Sequence, residues 1–174
     1  VVVDTLADET VANSTTSLRE AIQLAANGDT VQFKSGLAGT ITLGGQELLI
    51  EKDLTINGPG AAALSISANN ASRAVTVEFG AAVTLSGLTF KQGRAEFGGG
   101  IHNTGELTLN NCVVSNNTAA GANGTQENPN GHEASGGGIF NFGTLALNNT
   151  IVTGNVTGGG AGAFLTPIPT PRQR

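Results

Sequence analysis

The groups able to do chemistry are few and scattered along the 174 residues. The four aspartates, Asp4, Asp8, Asp29 and Asp53, all fall in the first third of the chain. Beyond them the acids are Glu78, Glu96, Glu106, Glu127 and Glu133. Glycoside hydrolysis needs two carboxylates at a defined separation. A lyase acting on acidic polysaccharide needs clustered acids for calcium, which takes about six to eight oxygens, several of them from carboxylates. No acidic cluster or Gly-Asp calcium repeat is present in the sequence. His102 and His132 are the only histidines, and two without a third ligand make a weak metal site. Cys112 is the single cysteine, so it forms no internal disulfide. In its apolar stretch it reads as a small core residue, not a nucleophile. The sequence therefore predicts a protein with no catalytic residues, no metal and no cofactor.

Binding chemistry is also thin. Sugar platforms favour Trp and Tyr, and this chain has neither, with seven Phe. A deep sugar cleft is not expected, although a shallow polar contact with a surface polysaccharide is the alternative partner. Three or more carboxylates converging on one groove beside Arg73, Lys91 or Arg94 would favour that alternative, a β-helix protein that binds or cleaves a polysaccharide. Thr55, Thr84 and Thr108 suggest an outward threonine column that ends at Ala146, one Thr per strand and read as β-propensity plus solubility. Six Asn-x-Ser/Thr sequons, at Asn13, Asn70, Asn116, Asn123, Asn148 and Asn155, matter only in a cell that glycosylates exported proteins. A net charge of −5 with 12% charged residues lacks the basic face of nucleic-acid binders. No run of about 18 apolar residues offers a membrane span.

Repetition decides the architecture. GGGIHNTGELTLNNCVVSNN at 98–117 matches GGGIFNFGTLALNNTIVTGN at 136–155, an offset of 136 − 98 = 38. Within each copy short apolar strands recur, separated by Asn or Gly corners, with period-two alternation. VTLSGLTF at 83–90 matches the Leu-Thr-Leu part, and 54–56 and 64–66 match it more loosely. Thr40-Ile41-Thr42-Leu43 and Val31-Gln32-Phe33 continue the grammar. Strands this short build no hairpin core. Stacked coils of about 20 residues, each strand pairing in parallel about 4.8 Å along an axis, solve the problem. The reading is an all-β, right-handed parallel β-helix with an interior column of Leu54, Ile56, Val83, Leu85, Leu107, Leu109, Leu145 and Leu147. Cys112 joins that interior, aligned with Leu88 and Thr150. Asn at equivalent corners forms amide ladders. Ser17-Leu18-Arg19-Glu20 fits a capping box, so a short amphipathic helix near 17–26, closed by Gly28, covers one end. Residues 119–135 read as a surface loop.

TTSLREAIQLAANGDTVQF, DLTINGPG, VTLSGLTF and GGGIHNTGELTLNN together resemble the bacterial right-handed β-helix proteins with a CSLREA-type N-terminal motif, themselves similar to repeats of polymorphic outer-membrane proteins and adhesins. The resemblance covers 1–157. Thr16 stands where the motif has Cys, so any chemistry of that Cys is absent. The resemblance implies an exported surface protein, structural or adhesive. The Val1-Val2-Val3 start and the lack of Met are read as a processed, exported chain. After this single domain, the tail 158–174 is Gly- and Pro-rich, with Phe164, Leu165, Pro167, Ile168 and Pro169 on an extended path. Val1, Val2 and Val3 at one end and these tail residues at the other are the expected subunit contacts. They would join copies head to tail by strand addition, whereas a tail folded onto its own last coil would leave a monomer.

Overall fold

The computed structural model describes residues 1–11, 13–121, 134–158 and 164–165. It is a parallel β-solenoid with one helix. Strand β1 (Val2–Val3) is followed by helix α1 (Leu18–Leu24). The first coil is β2 (Asp29–Phe33), β3 (Gly39–Thr42) and β4 (Leu48–Ile50), and the second is β5 (Leu54–Asn57), β6 (Leu64–Ser67) and β7 (Val75–Val77). The third coil gains a side: β8 (Ala82–Ser86), β9 (Thr89–Lys91), β10 (Arg94–Ala95) and β11 (Ile101–Asn103). The fourth is β12 (Glu106–Asn110), β13 (Val113–Ser115), β14 (Thr118–Ala119) and β15 (Ile139–Asn141). The last is β16 (Thr144–Asn148), β17 (Ile151–Thr153), β18 (Val156–Thr157) and β19 (Phe164–Leu165).

Four parallel sheets run along the axis: β1-β2-β5-β8-β12-β16, β3-β6-β9-β13-β17, β4-β7-β11-β15-β19, and the short β10-β14-β18. The 38-residue offset is a physical register: Ile101 pairs with Ile139, Leu107 with Leu145 and Asn110 with Asn148. Coil length is not 20 residues. The paired positions 29, 54, 83, 107 and 145 give steps of 25, 29, 24 and 38. The sequence match covers only the strands, while the corners carry insertions. Leu64–Ile66 and Thr40–Thr42 belong to the second sheet, not to the Leu-Thr-Leu sheet. Period-two alternation is the same on every side of a solenoid, so it does not say which side a strand occupies. The loop is narrower than 119–135: Ala119 lies in β14, Ser135 bridges Phe97, and 122–133 fall outside the described residues.

Corners explain the Asn and Gly content. Gly87, Asn111 and Asn149 stack at one bend with φ of 60°, 52° and 48°, a region Gly and Asn enter at least cost. Inside, Leu54, Ile56, Val83, Leu85, Leu107 and Leu109 are at most 2% exposed. Leu145 and Leu147 depart from the expected column, Leu145 half-buried and Leu147 39% exposed. They lie on β16, the edge strand of its sheet, and among the described residues no further strand stacks over them.

The capping box forms: Ser17 Oγ accepts from the Glu20 N–H at 3.1 Å, and Glu20 Oε2 accepts from the Ser17 N–H at 2.8 Å. Leu18, Ile22 and Ala25 are buried as one face. The helix stops at Leu24, before Gly28, because Ala25 already has extended backbone. Gly28, at φ 83°, instead turns the chain into β2, its N–H donating to Asp53 O.

Candidate functional site

The residues expected to join subunits sit at the two ends of the solenoid. Val2 and Val3 form β1, paired with Gln32 and Phe33 of their own chain. Val3 is fully buried in its own core, whereas Val1 and Val2 are 38% and 54% exposed. The Val3 side chain is therefore unavailable to a neighbour, and β1 offers only its outer edge. Phe164 and Leu165 pair with Ile139 and Phe140 of their own chain. Their expected reach to a neighbour is, in this structure, an intrachain strand addition at the edge of the third sheet. Pro167, Ile168 and Pro169 lie outside the described residues.

The ends differ in cover. At the N-terminal end, the described residues of 4–16 and α1 are laced to one another and to the first coil. Asp4 N–H donates to Thr16 O, and Thr16 N–H to Asp4 Oδ1. Arg19 holds Asp8 with two hydrogen bonds of 2.7 and 3.0 Å and also donates to Gln46 O and Glu47 O. At the other end β16, β17 and β18 are edge strands. There Leu147, Ile151 and Val156 are 39%, 58% and 55% exposed.

Among the described residues the chemical groups converge only in part: Arg73, Glu47 and Glu78 lie within electrostatic reach of His102. His102 lies on the outer face of β11, its ring 5.6 Å from Phe140, and burial together with the Arg73 cation lowers its imidazole below the ordinary 6.5. His132, Glu127 and Glu133 lie outside the described residues. Arg73 pairs with Glu47 at 2.8 Å, Lys91 donates to Thr40 Oγ1 and Arg94 is exposed on β10. Among the described residues no group of three or more His, Cys, Asp or Glu is placed to hold a metal ion. The threonine column gains Thr30 and runs Thr30-Thr55-Thr84-Thr108 before Ala146, a single file. No described helix is long and apolar enough to cross a membrane.

Cys112 is 1% exposed, its Sγ 3.4 Å from Leu85 O and from Asn110 O, and burial pushes the thiol above its ordinary 9.0. Reaction then waits for opening, and folded proteins are open about a thousandth of the time or less. The native protein is expected to react with a thiol-directed chromogenic disulfide about a thousandfold more slowly than the denatured chain. Comparable rates would place Cys112 outside the core.

Polar ladders are the buried chemistry the fold does assemble. Asn103 Nδ2 donates to Asn141 Oδ1 at 2.6 Å, and Asn117 Nδ2 to Asn155 Oδ1 at 2.9 Å. Sequence reasoning missed one feature. Phe79 and Phe142 are 89% and 63% exposed and line a groove with Asp53 and Glu106. They sit on corners, whose alignment appears only once each coil's length is known. Comparison with family models, with curated proteins and with solved structures gives no match.

Proposed function

We propose that this protein is a non-catalytic structural subunit of the cell exterior that associates end to end into a filament or stalk. One observation carries the reading. Of the eleven exposed large apolar side chains among the described residues, seven belong to the ends: Val1, Val2, Val11 and Leu24 at one, Leu147, Ile151 and Val156 at the other. The backbone agrees. The six-stranded sheet begins at β1 and finishes at β16, and every pairing in it is parallel. A second copy placing its β1 beyond β16 continues the same sheet in the same direction. Such a contact joins two different surfaces, so it does not close on itself and propagates. The exported location is carried over from the resemblance to surface β-helix proteins.

Sedimentation velocity across a concentration series tests it. The full chain is expected to form species that lengthen with concentration. Ile151→Lys with Val156→Lys should block one end, and Val2→Lys the other, since edge lysines disfavour strand pairing. Each variant alone should be monomeric, and a mixture of the two should stop at dimers. A full chain that stays monomeric at the highest concentration, or a mixture that forms no dimer, would overturn the assignment.

A further inference from the structure

A groove of about 660 Å³ runs along the corner where each coil passes from the third sheet to the first. Its two sides are aromatic. Register fixes their spacing: Val77, Asn103 and Asn141 stack on successive coils, so the residues after them, Glu78, Thr104 and Phe142, stack as well. Phe79 follows Glu78, two rungs from Phe142, a separation of about 10 Å along the axis. The Phe142 ring stands edge-on to Phe140, with centroids 4.9 Å apart, so its orientation is set before any ligand arrives. Between the two rings the floor is bare backbone. A Cβ at Gly105 would collide with the carbonyl of Glu78, and one at Gly143 with that of Gly105.

The charged groups are both carboxylates, beside the hydroxyls of Thr104 and Thr144. Asp53 and Ala82 stack on successive coils with Glu106, so the two carboxylates also stand two rungs apart. Asp53 Oδ1 accepts from the Ala82 N–H at 2.8 Å and Oδ2 from Asn27 Nδ2 at 3.4 Å, which leaves a lone pair on each oxygen, and Glu106 is exposed. No Lys, Arg or His is among the described residues that line the groove. An anionic polymer would meet two carboxylates and no cation. An extended peptide would need free backbone groups, and several N–H groups of the floor are already engaged. Phe142 N–H donates to Asn103 O, Thr144 N–H to Gly105 O and Glu106 N–H to Ala81 O.

We propose that this groove binds one uncharged, extended polysaccharide chain lying along the solenoid axis. Phe79 and Phe142 each stack on the C–H face of a sugar ring, and Asp53 and Glu106 accept from ring hydroxyls. The ring spacing matches a disaccharide unit of an extended β-linked chain. The groove opens on the side of the solenoid, and its last rung reaches Thr144 at the start of β16, the strand on which association is proposed.

Affinity electrophoresis through native gels containing hydroxyethyl cellulose, galactomannan or polygalacturonate tests it. Retardation is expected in one or both of the neutral polymers, and not in polygalacturonate. Phe79→Ala and Phe142→Ala should each weaken it about tenfold, a stacking contact of about 1 kcal/mol or slightly more being lost. Phe79→Trp should restore or strengthen it, and Ile151→Ser at the solenoid end should leave it unchanged. Both phenylalanines are exposed, so these variants keep the fold. No retardation in either neutral polymer, stronger retention by polygalacturonate, or retention indifferent to both alanine variants would overturn the proposal.

Discussion

Asn117→Ala is expected to lower the unfolding free energy by about 2–5 kcal/mol, against less than about 0.5 kcal/mol for Asn110→Ala, although both residues belong to asparagine ladders. The difference is burial. Asn117 is fully buried, and its amide closes three contacts. Its Oδ1 accepts from the Gly93 N–H at 2.8 Å, while Nδ2 donates to Phe90 O at 3.2 Å and to Asn155 Oδ1 at 2.9 Å. Removing the side chain strands the Gly93 N–H and takes a donor from the Phe90 carbonyl, at a site shut off from bulk solvent. Asn110 instead accepts from Asn148 Nδ2 on an exposed edge, where solvent takes over. Asn117→Asp should do no better than alanine. A carboxylate cannot donate to Phe90 O, and it would face the Asn155 oxygen at close range. Urea unfolding, with midpoints compared at constant slope, measures these differences. Equal losses for Asn117→Ala and Asn110→Ala would show that ladder geometry matters here and burial does not.

Much of this architecture is legible from residue spacing. The match of 98–117 to 136–155 is the strand register itself, because a solenoid pairs each strand with its own equivalent one coil away. The cap is legible because Ser17 and Glu20 stand three residues apart before Leu18 and Ile22, and that spacing has few other uses. The third sheet is harder to read. Leu48–Ile50 and Val75–Val77 are three-residue strands that follow corners of unequal length, and they lack the Leu-Thr-Leu signature. The exposure of Leu147 is invisible to pattern, which assigns a face to each residue but not whether another coil stacks above it. The groove is hidden for a related reason. Phe79 and Phe142 are 63 positions apart in sequence and come to line one groove only through two coil steps, of 26 and 38 residues in the third sheet. Cys112 is legible as an isolated core residue from its strand, whereas the approach of Arg73, Glu47 and Glu78 to His102 across the coils is not.

Arg19→Ala is expected to release the N-terminal cover and to promote aggregation. Arg19 is the tie between three pieces of chain. Its guanidinium meets both oxygens of Asp8, at 2.7 and 3.0 Å, and donates to Glu47 O at 2.8 Å and Gln46 O at 2.7 Å on the first coil. Asp8 in turn accepts from the Gly44 N–H at 2.8 Å. The pair is well shielded, with side chains 15% and 6% exposed. Deleting one partner of a buried pair leaves an uncompensated charge, which costs about 3–5 kcal/mol. That is a large fraction of the stability of a domain of this size. The cost falls on the segment that covers β3 and β4, where Leu6 packs close to Gly39. Freed, that segment exposes parallel strand edges that template pairing with other chains. Arg19→Lys should rescue only part of the loss, because a single ammonium cannot span a carboxylate and two carbonyls as the planar fork does. Arg19→Ala combined with Asp8→Ala should be less destabilised than Arg19→Ala alone, since no buried carboxylate is then left without its partner. Urea midpoints together with light scattering during warming distinguish these outcomes. A single variant within about 1 kcal/mol of the parent, with unchanged scattering, would show that the hydrophobic face of α1 holds the cover by itself.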